Sequence, residues 1–321
     1  MSRGVSFVVP ALQPSEHLAR ALATLRAALA PREAPDEVIV VDDSGSGALR
    51  TWSAQRFPGA RVVDPGRNLG FAGALSAGIE AASCQLVFCM NSDLAVRPGF
   101  LEPLETALEE PDVFAAVPRV LRRGEPDGVE SLVRMEVVEG MARVRQPCVE
   151  APVEAPPARV LAGPRPVPFA LGGACLLRRD EFLEVGGLDP LFEPFYLEDL
   201  DLGWRAWRHG RRCVHVPESV VEHLNQGTIA AVVPRAVVLD AIEKNQLLFQ
   251  WKHLDADALA RHLDALERRA LDAWLAEERR LLEVLALALE ELDALLASRA
   301  RLALPCASFD ELVRRSDPYA A

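Results

Sequence analysis

Apolar and polar positions alternate along the first third of the chain with the period of a repeated strand-helix unit. Val5-Ser6-Phe7-Val8-Val9 is β-branched and aromatic and predicts a strand stopped at Pro10. Pro14-Ser15-Glu16 then opens an alanine- and leucine-rich helix to about Ala30. Glu37-Val38-Ile39-Val40-Val41 predicts a second strand, ending in the turn Asp42-Asp43-Ser44-Gly45-Ser46-Gly47, and a second helix follows. Arg61-Val62-Val63 predicts a short third strand, after which Arg67-Asn68-Leu69-Gly70-Phe71-Ala72-Gly73 runs into a helix through about Ala82. Leu86-Val87-Phe88-Cys89-Met90 is a continuous apolar run closed by Asn91-Ser92-Asp93, which predicts a buried central parallel strand. The series β-α-β-α-β-α-β predicts an α/β fold with a mostly parallel, doubly wound sheet and helices on both faces.

Past Arg119 the pattern changes. Leu132 to Val144 alternates loosely across Glu139-Gly140, which predicts a hairpin, and Pro147 to Pro168 carries seven prolines, which predicts irregular structure. Residues 122–168 therefore read as a proline-rich insert. Order returns at Leu171-Gly172-Gly173-Ala174-Cys175-Leu176-Leu177, a glycine turn entering a strand, with a helix from about Arg179. From Asp240 onward the pattern is helical. Leu259, Leu263, Leu266, Ala270 and Ala273, then Leu281, Leu285, Ala288, Leu292 and Leu295, recur at steps of three and four, the spacing of packed helix seams. The organisation predicted is a catalytic-type domain over residues 1–238 and a helical region over 239–321, whose seams pack on each other or on a second subunit of a homodimer.

The 321 residues, half of them hydrophobic, suffice for one large α/β domain and an appendage. A net charge of -12 argues against nucleic acid as a partner. Six cysteines without a CxxC pair argue against a zinc site or disulfide framework and suit a reducing compartment. No signal peptide or membrane-length apolar run is present, so the expectation is a cytoplasmic protein, or one peripheral at the inner face of the membrane.

In an open α/β sheet, ligands collect beyond the carboxyl ends of the strands, which places Asn91, Ser92 and Asp93 at a crevice. Asp93 reads either as a metal or phosphate-site residue or as a turn cap. Glu198, Asp199 and Asp201 begin a helix, where amides stabilise negative charge, so Asp199 or Asp201 reads as an N-cap or as a general base in a cleft floored by Phe195 and Tyr196. His223 follows a predicted strand and precedes Gln226-Gly227-Thr228. Such a histidine is a satisfied structural residue or completes a metal site begun by Asp93.

Taken in order, Val8-Val9-Pro10, Val40-Val41-Asp42-Asp43-Ser44, Arg67-Asn68-Leu69-Gly70-Phe71-Ala72, Asn91-Ser92-Asp93, Gly172-Gly173-Ala174, Phe195-Tyr196-Leu197-Glu198-Asp199-Leu200-Asp201-Leu202-Gly203-Trp204-Arg205 and His223 resemble the inverting GT-A nucleotide-sugar glycosyltransferases of family 2, in their bacterial rhamnosyltransferase-like branch. The resemblance extends to Glu243-Lys244-Asn245-Gln246-Leu247-Leu248-Phe249-Gln250-Trp251-Lys252 and covers about residues 4–254. It implies a GT-A fold and transfer of sugar, with inversion, from a UDP- or dTDP-sugar to a hydroxyl of a glycan or lipid-linked acceptor in surface polysaccharide or glycoconjugate synthesis. By the same resemblance Asp199 is the base with Glu198 beside it. Pro10, Asp42, Asp43, Arg67, Asn68, Phe71, Ala72, Asn91, Ser92, Asp93 and Gly173 line the nucleotide-sugar site, and Tyr196 and Trp204 face the acceptor. Asn91-Ser92-Asp93 stands at the family's Asp-X-Asp motif with asparagine first, and Asp93 with His223 would hold a divalent cation, Mg2+ or Mn2+.

Two other classes compete. A nicotinamide-dependent oxidoreductase requires Gly-x-Gly-x-x-Gly after the first strand, where this chain has Pro10-Ala11-Leu12-Gln13-Pro14. A non-catalytic sugar-nucleotide binder or assembly subunit with the same fold is discriminated by donor hydrolysis without acceptor, which a transferase shows slowly and a binder does not.

Overall fold

The computed structural model describes residues 4–30, 32–125, 127–150, 153–224, 233–302 and 304–320. Its first third follows the predicted alternation: β1 (Val5–Ala11), α1 (Glu16–Leu29), β2 (Glu37–Asp42), α2 (Ala48–Arg56), β3 (Ala60–Val63), α3 (Gly70–Ala81) and β4 (Leu86–Met90). Ser15 caps α1 by accepting the Leu18 amide at 3.0 Å. β1 runs through Pro10 instead of stopping there. Its pairing with β4 ends at Val8 while that with β2 continues to Ala11, so Pro10 lies where β1 has lost one neighbour.

The remaining elements are β5 (Leu94–Val96), α4 (Leu101–Ala107), β6 (Val113–Arg122), β7 (Arg134–Val138), β8 (Met141–Arg145), β9 (Arg165–Val167), β10 (Ala174–Arg178), α5 (Arg179–Glu184), α6 (Glu198–Arg208) and β11 (Arg212–His223). The sheet order is β3-β2-β1-β4-β10-β6-β11-β5, with β9 paired to β11. The β3-β2-β1-β4 half is parallel, as expected for strands joined by crossover helices. β4 is central but parallel only to β1, because β10 enters antiparallel on its other side. The predicted hairpin forms as β7 and β8, turning at Glu139-Gly140. The proline-rich stretch is not wholly irregular, since β9 within it pairs with β11. Helix α3 lies close on β1 and β2, and a Cβ on its Gly78 would come within 2.3 Å of Val8 Cγ1.

Five helices complete the described chain: α7 (Arg235–His253), α8 (Ala256–Leu275), α9 (Arg279–Glu290), α10 (Leu292–Ala300) and α11 (Phe309–Arg315). Leu247, Leu248, Phe249, Val284, Ala288, Leu295, Phe309 and Leu312 join the same hydrophobic core as the sheet. Two seam positions are exposed. The last seam is interrupted at Glu291, between α9 and α10, and Leu292 is 40% exposed, as Leu263 of the first seam is 48% exposed. Ala288 and Leu295 of that seam are buried as expected, and Val284, one position before Leu285, is buried with them.

A buried charge cluster ties α6 to α7. Asp201, fully buried, accepts from Arg205 Nε at 2.8 Å and His253 Nε2 at 2.7 Å and pairs with Lys252 Nζ at 2.6 Å. Burial works against ionisation of Asp201, but the Arg205 and Lys252 cations and the His253 hydrogen bond prevail and hold its pKa far below the carboxylate range. Asp201 is therefore no N-cap; Leu197 occupies that position, in a left-handed conformation.

Candidate active site

A cavity of about 550 Å³ opens beyond the carboxyl ends of β1, β2 and β4, within the range of small-molecule sites. Pro10, Asp43, Asn68, Phe71, Asn91, Ser92, Asp93, Gly173, Tyr196, Glu198, Asp199 and His223 all line it, so most of the predicted site converges.

Register explains the first constellation. β5 pairs antiparallel with β11, and His223 stands opposite Leu94, next to Asp93. The Leu224 amide also bonds the Asp93 carbonyl at 3.0 Å. His223 Nε2 lies 3.2 Å from Asp93 Oδ2, which is buried and lacks an aligned hydrogen bond. On the other ring edge, Nδ1 lies 2.7 Å from Glu130 Oε2. Burial lowers the affinity of His223 for its proton, yet the two flanking carboxylates overcome it and raise the pKa to about 10. Burial likewise opposes the ionisation of Asp93 and Glu130, and the imidazolium outweighs it and lowers both. The residues fit a divalent cation. Adjacent ligands of an octahedral ion with bonds of ~2.1 Å are separated by about 3.0 Å, close to the Asp93–His223 spacing. Glu130 would hold the proton on Nδ1 and leave Nε2 for the ion, the arrangement common around metal-bound histidines. Among the described residues no group of three or more His, Cys, Asp or Glu is placed to hold a metal ion, so the protein ligands here would be Asp93 and His223 alone.

Glu130 is the site residue that sequence reasoning misses. It follows β6 inside the insert, where its amide bonds the Val120 carbonyl at 2.9 Å and Arg122 Nε bonds its Oε1 at 2.9 Å. Gly128-Val129-Glu130-Ser131 offers no local signal of this role.

The second constellation starts α6. Leu197 initiates the helix, so Glu198 and Asp199 occupy its first turn. Asp199 Oδ2 accepts the Gly172 amide at 3.1 Å and Oδ1 the Leu200 amide at 2.8 Å. Burial raises its pKa, with these amides acting against the rise. Burial and the adjacent Asp199 push Glu198 up to about 8, and its buried Oε2 has no hydrogen-bond partner. Burial holds the proton on Glu198 at neutral pH, whereas the Asp199 oxygens are held by two backbone amides, so Asp199 is the better placed of the two to accept a proton. The glycine turn serves Asn91 too: a Cβ on Gly173 would fall 2.2 Å from Asn91 Cγ, so only glycine lets that side chain lie there.

Several expected residues stand elsewhere. Asp42 is fully buried and accepts from Ser44 Oγ at 2.6 Å and Leu49 N at 3.0 Å, fastening the start of α2. Only Asp43 reaches the cavity, and its Oδ1 also takes the Leu69 amide at 2.6 Å. Arg67 and Ala72 lie outside the cavity wall: Arg67 packs its backbone on the Gly45 turn, and Ala72 sits about 100° round α3 from Phe71. Trp204 cannot meet an acceptor. It is fully buried, with ring centroids 4.9 Å from Phe309 and 5.9 Å from Phe249, because five residues beyond Asp199 the helix has turned about 140° toward α7. Tyr196 lines the cavity and is 38% exposed. Gln226-Gly227-Thr228, which follow His223 in the sequence, lie outside the described residues.

A mixed, largely parallel sheet with a cavity at its strand ends and paired carboxylates at a helix start defines a GT-A-type transferase. Residues 6–186 match the family model for glycosyl transferase family 2. The chain belongs to that family and is a nucleotide-sugar glycosyltransferase. It is 30% identical, over 65% of its length and 72% of the relative's, to an N-acetylglucosaminyl-diphospho-decaprenol L-rhamnosyltransferase of Mycobacterium tuberculosis. A pre-mycofactocin glycosyltransferase of the same organism is 29% identical over 69% of this chain and 43% of its own. Among solved structures, a mannosyltransferase from Pyrobaculum calidifontis in complex with GDP-Man and Mn2+ superposes with a TM-score of 0.53 at 19% identity, covering 92% of this chain and 85% of that one. GalNAc-T7 with UDP, GalNAc and Mn2+ superposes with a TM-score of 0.57 at 18% identity, covering 79% of this chain and about half, 48%, of that one. These two likenesses establish the fold. Among the described residues no helix is long and apolar enough to cross a membrane.

Proposed function

We propose that this enzyme moves a sugar from a UDP- or dTDP-sugar to a hydroxyl of a glycan or lipid-linked acceptor, with inversion, in bacterial surface polysaccharide or glycoconjugate synthesis. The observation that carries the reading is the meeting, in one cavity, of Asp199 on its two amides with the Asp93–His223 pair. The rhamnosyltransferase relative, whose name specifies a polyprenyl-diphosphate acceptor, supports the lipid-linked class.

Asp199 is the general base. Its amide contacts orient both oxygens while leaving each a further lone pair for the incoming hydroxyl proton. Protonated Glu198 beside it keeps a second negative charge out of the cavity. Attack on the face opposite the departing nucleoside diphosphate inverts the anomeric carbon. Asp93 and His223 hold a divalent cation, Mg2+ or Mn2+, which supplies Lewis-acid neutralisation of the diphosphate; the neighbours solved with Mn2+ support this assignment. Glu130 orients His223, and Asn68, Phe71 and Asp43 form the nucleotide wall. Residues 1–238 form the catalytic unit and 239–321 a helical extension that supports it. A homodimer through these helices, with the protein cytoplasmic and peripheral at the inner membrane face, is part of the proposal.

A thermal-shift screen of UDP-, dTDP- and GDP-sugars with and without Mn2+, followed by donor hydrolysis, tests it. Stabilisation should scale as RT ln(1 + [L]/Kd), be metal-dependent, and select UDP- or dTDP-sugars. Absence of any shift, or binding without slow hydrolysis, would refute it.

A further inference from the structure

The loop that delivers Glu198 and Asp199 does not hold itself. Phe192, at the end of a short helical turn over Pro190–Phe192, is followed by Glu193-Pro194-Phe195-Tyr196-Leu197, and both Tyr196 (φ 72) and Leu197 (φ 71) are left-handed. Non-glycine residues hold that conformation only where surrounding contacts impose it. Pro194, Phe195 and Tyr196 line the cavity, so the shape of this loop sets one of its walls.

The contacts come from α7. Asn245 is fully buried, and its Nδ2 lies 2.7 Å from the Phe192 carbonyl oxygen, 3.1 Å from that of Phe195 and 2.9 Å from that of Tyr196. A carboxamide nitrogen carries two hydrogens, so one is shared between two of the three acceptors. Three carbonyl oxygens converging on one point repel unless a donor sits between them, which makes this loop geometry contingent on the amide. Next to it, Lys244 Nζ donates to the Glu193 carbonyl at 2.9 Å.

We infer that Asn245 is a positioning residue, a clamp by which the C-terminal helical region holds the 192–197 loop so that Asp199 faces the reacting hydroxyl. The inference rests on the reading of Asp199 as base. The clamp touches no nucleotide-side residue, because Pro10, Asp43, Asn68 and Phe71 belong to other elements. Its loss should therefore separate turnover from nucleotide binding.

The test uses Asn245→Ala in the full chain, with hydrogen exchange, UDP and dTDP affinity in Mn2+, and hydrolysis of whichever sugar nucleotide the thermal screen selects. Expected are faster amide exchange confined to residues 192–201, turnover lower by about 10²-fold as for a misplaced catalytic group, and nucleotide Kd within about threefold of wild type. Wild-type exchange and turnover would overturn the clamp, as would equal loss of nucleotide affinity with faster exchange throughout. Should Asn245→Ala fail to fold, Lys244→Met removes the neighbouring donor at a less buried position. Faster exchange at 193–197 with a several-fold fall in turnover supports the clamp, and unchanged values of both overturn it. Asp199→Asn distinguishes the two failures. Full hydrolysis by Asp199→Asn, with Asn245→Ala impaired, refutes the base and leaves the clamp; an inert Asp199→Asn beside a fully active Asn245→Ala refutes the clamp.

Discussion

Replacing Asp199 by asparagine removes a proton acceptor at nearly constant volume. Stability should barely change. Asparagine keeps one acceptor oxygen, so of the bonds from Gly172 N (3.1 Å) and Leu200 N (2.8 Å) one survives, and the other costs about 1 kcal/mol. Burial acts in the opposite sense. The folded chain holds the Asp199 proton more tightly than the unfolded chain does, so stability declines as pH rises from the ordinary 3.8 through the raised pKa. Asparagine has no such ionisation, so the variant loses no more than the about 1 kcal/mol of that one bond, a shift of a few degrees at most in Tm. Activity should respond on another scale, since general-base catalysis contributes about 10²–10⁴-fold, roughly 3–5 kcal/mol of barrier. The assay is donor hydrolysis beside calorimetric binding of UDP or dTDP with Mn2+ and a melting curve. Turnover within threefold of wild type would refute the assignment, and so would a loss matched by an equal loss of nucleotide affinity.

Asp93→Ala and His223→Ala should each weaken Mn2+-dependent nucleotide binding with non-additive effects in the double variant, and Glu130→Gln should weaken it about 10–100-fold; strict additivity or indifference to chelator, measured by calorimetry, argues against a shared ion. Acid should destabilise the fold in a defined window, because burial holds the His215 pKa at about 3 and the His253 pKa at about 4, below the ordinary 6.5. Below pH 6.5 the unfolded chain takes up protons that the native chain refuses, so each histidine removes about 1.4 kcal/mol per pH unit until its folded pKa is reached, and urea unfolding at pH 6 and 4.5 showing equal stability would contradict this. His223 acts the other way, its contribution complete below pH 6.5 and lost toward about 10. Trp204→Ala should cost about 3–5 kcal/mol in a denaturant titration through loss of the Phe249 and Phe309 contacts, and a variant of wild-type stability would contradict its place in the core.

Much of the molecule is decided by the order of residues alone. Local periodicity and turn chemistry act over a few residues, so the strand-helix alternation to Met90, the helix opening at Pro14-Ser15-Glu16, the hairpin at Glu139-Gly140 and the helical character beyond residue 240 were all readable directly. Position at a strand end is also local information, which is why Asn91 to Asp93 and Asp43 fall at the cavity. What a residue faces is not local. Asp42 and Asp43 are neighbours of one chemistry, yet strand alternation sends one into the start of α2 and the other into the cavity. Trp204 shares a helix with Asp199, and only the packing of α7 and α11 decides that it belongs to the core. Glu130 reaches His223 from 93 positions away, and Asn245 reaches Tyr196 from 49, through sheet register and helix docking that carry no mark in either segment. The left-handed pair at Tyr196 and Leu197 is likewise a tertiary product, because neither side chain prefers that conformation and the amide holding it arrives on another helix.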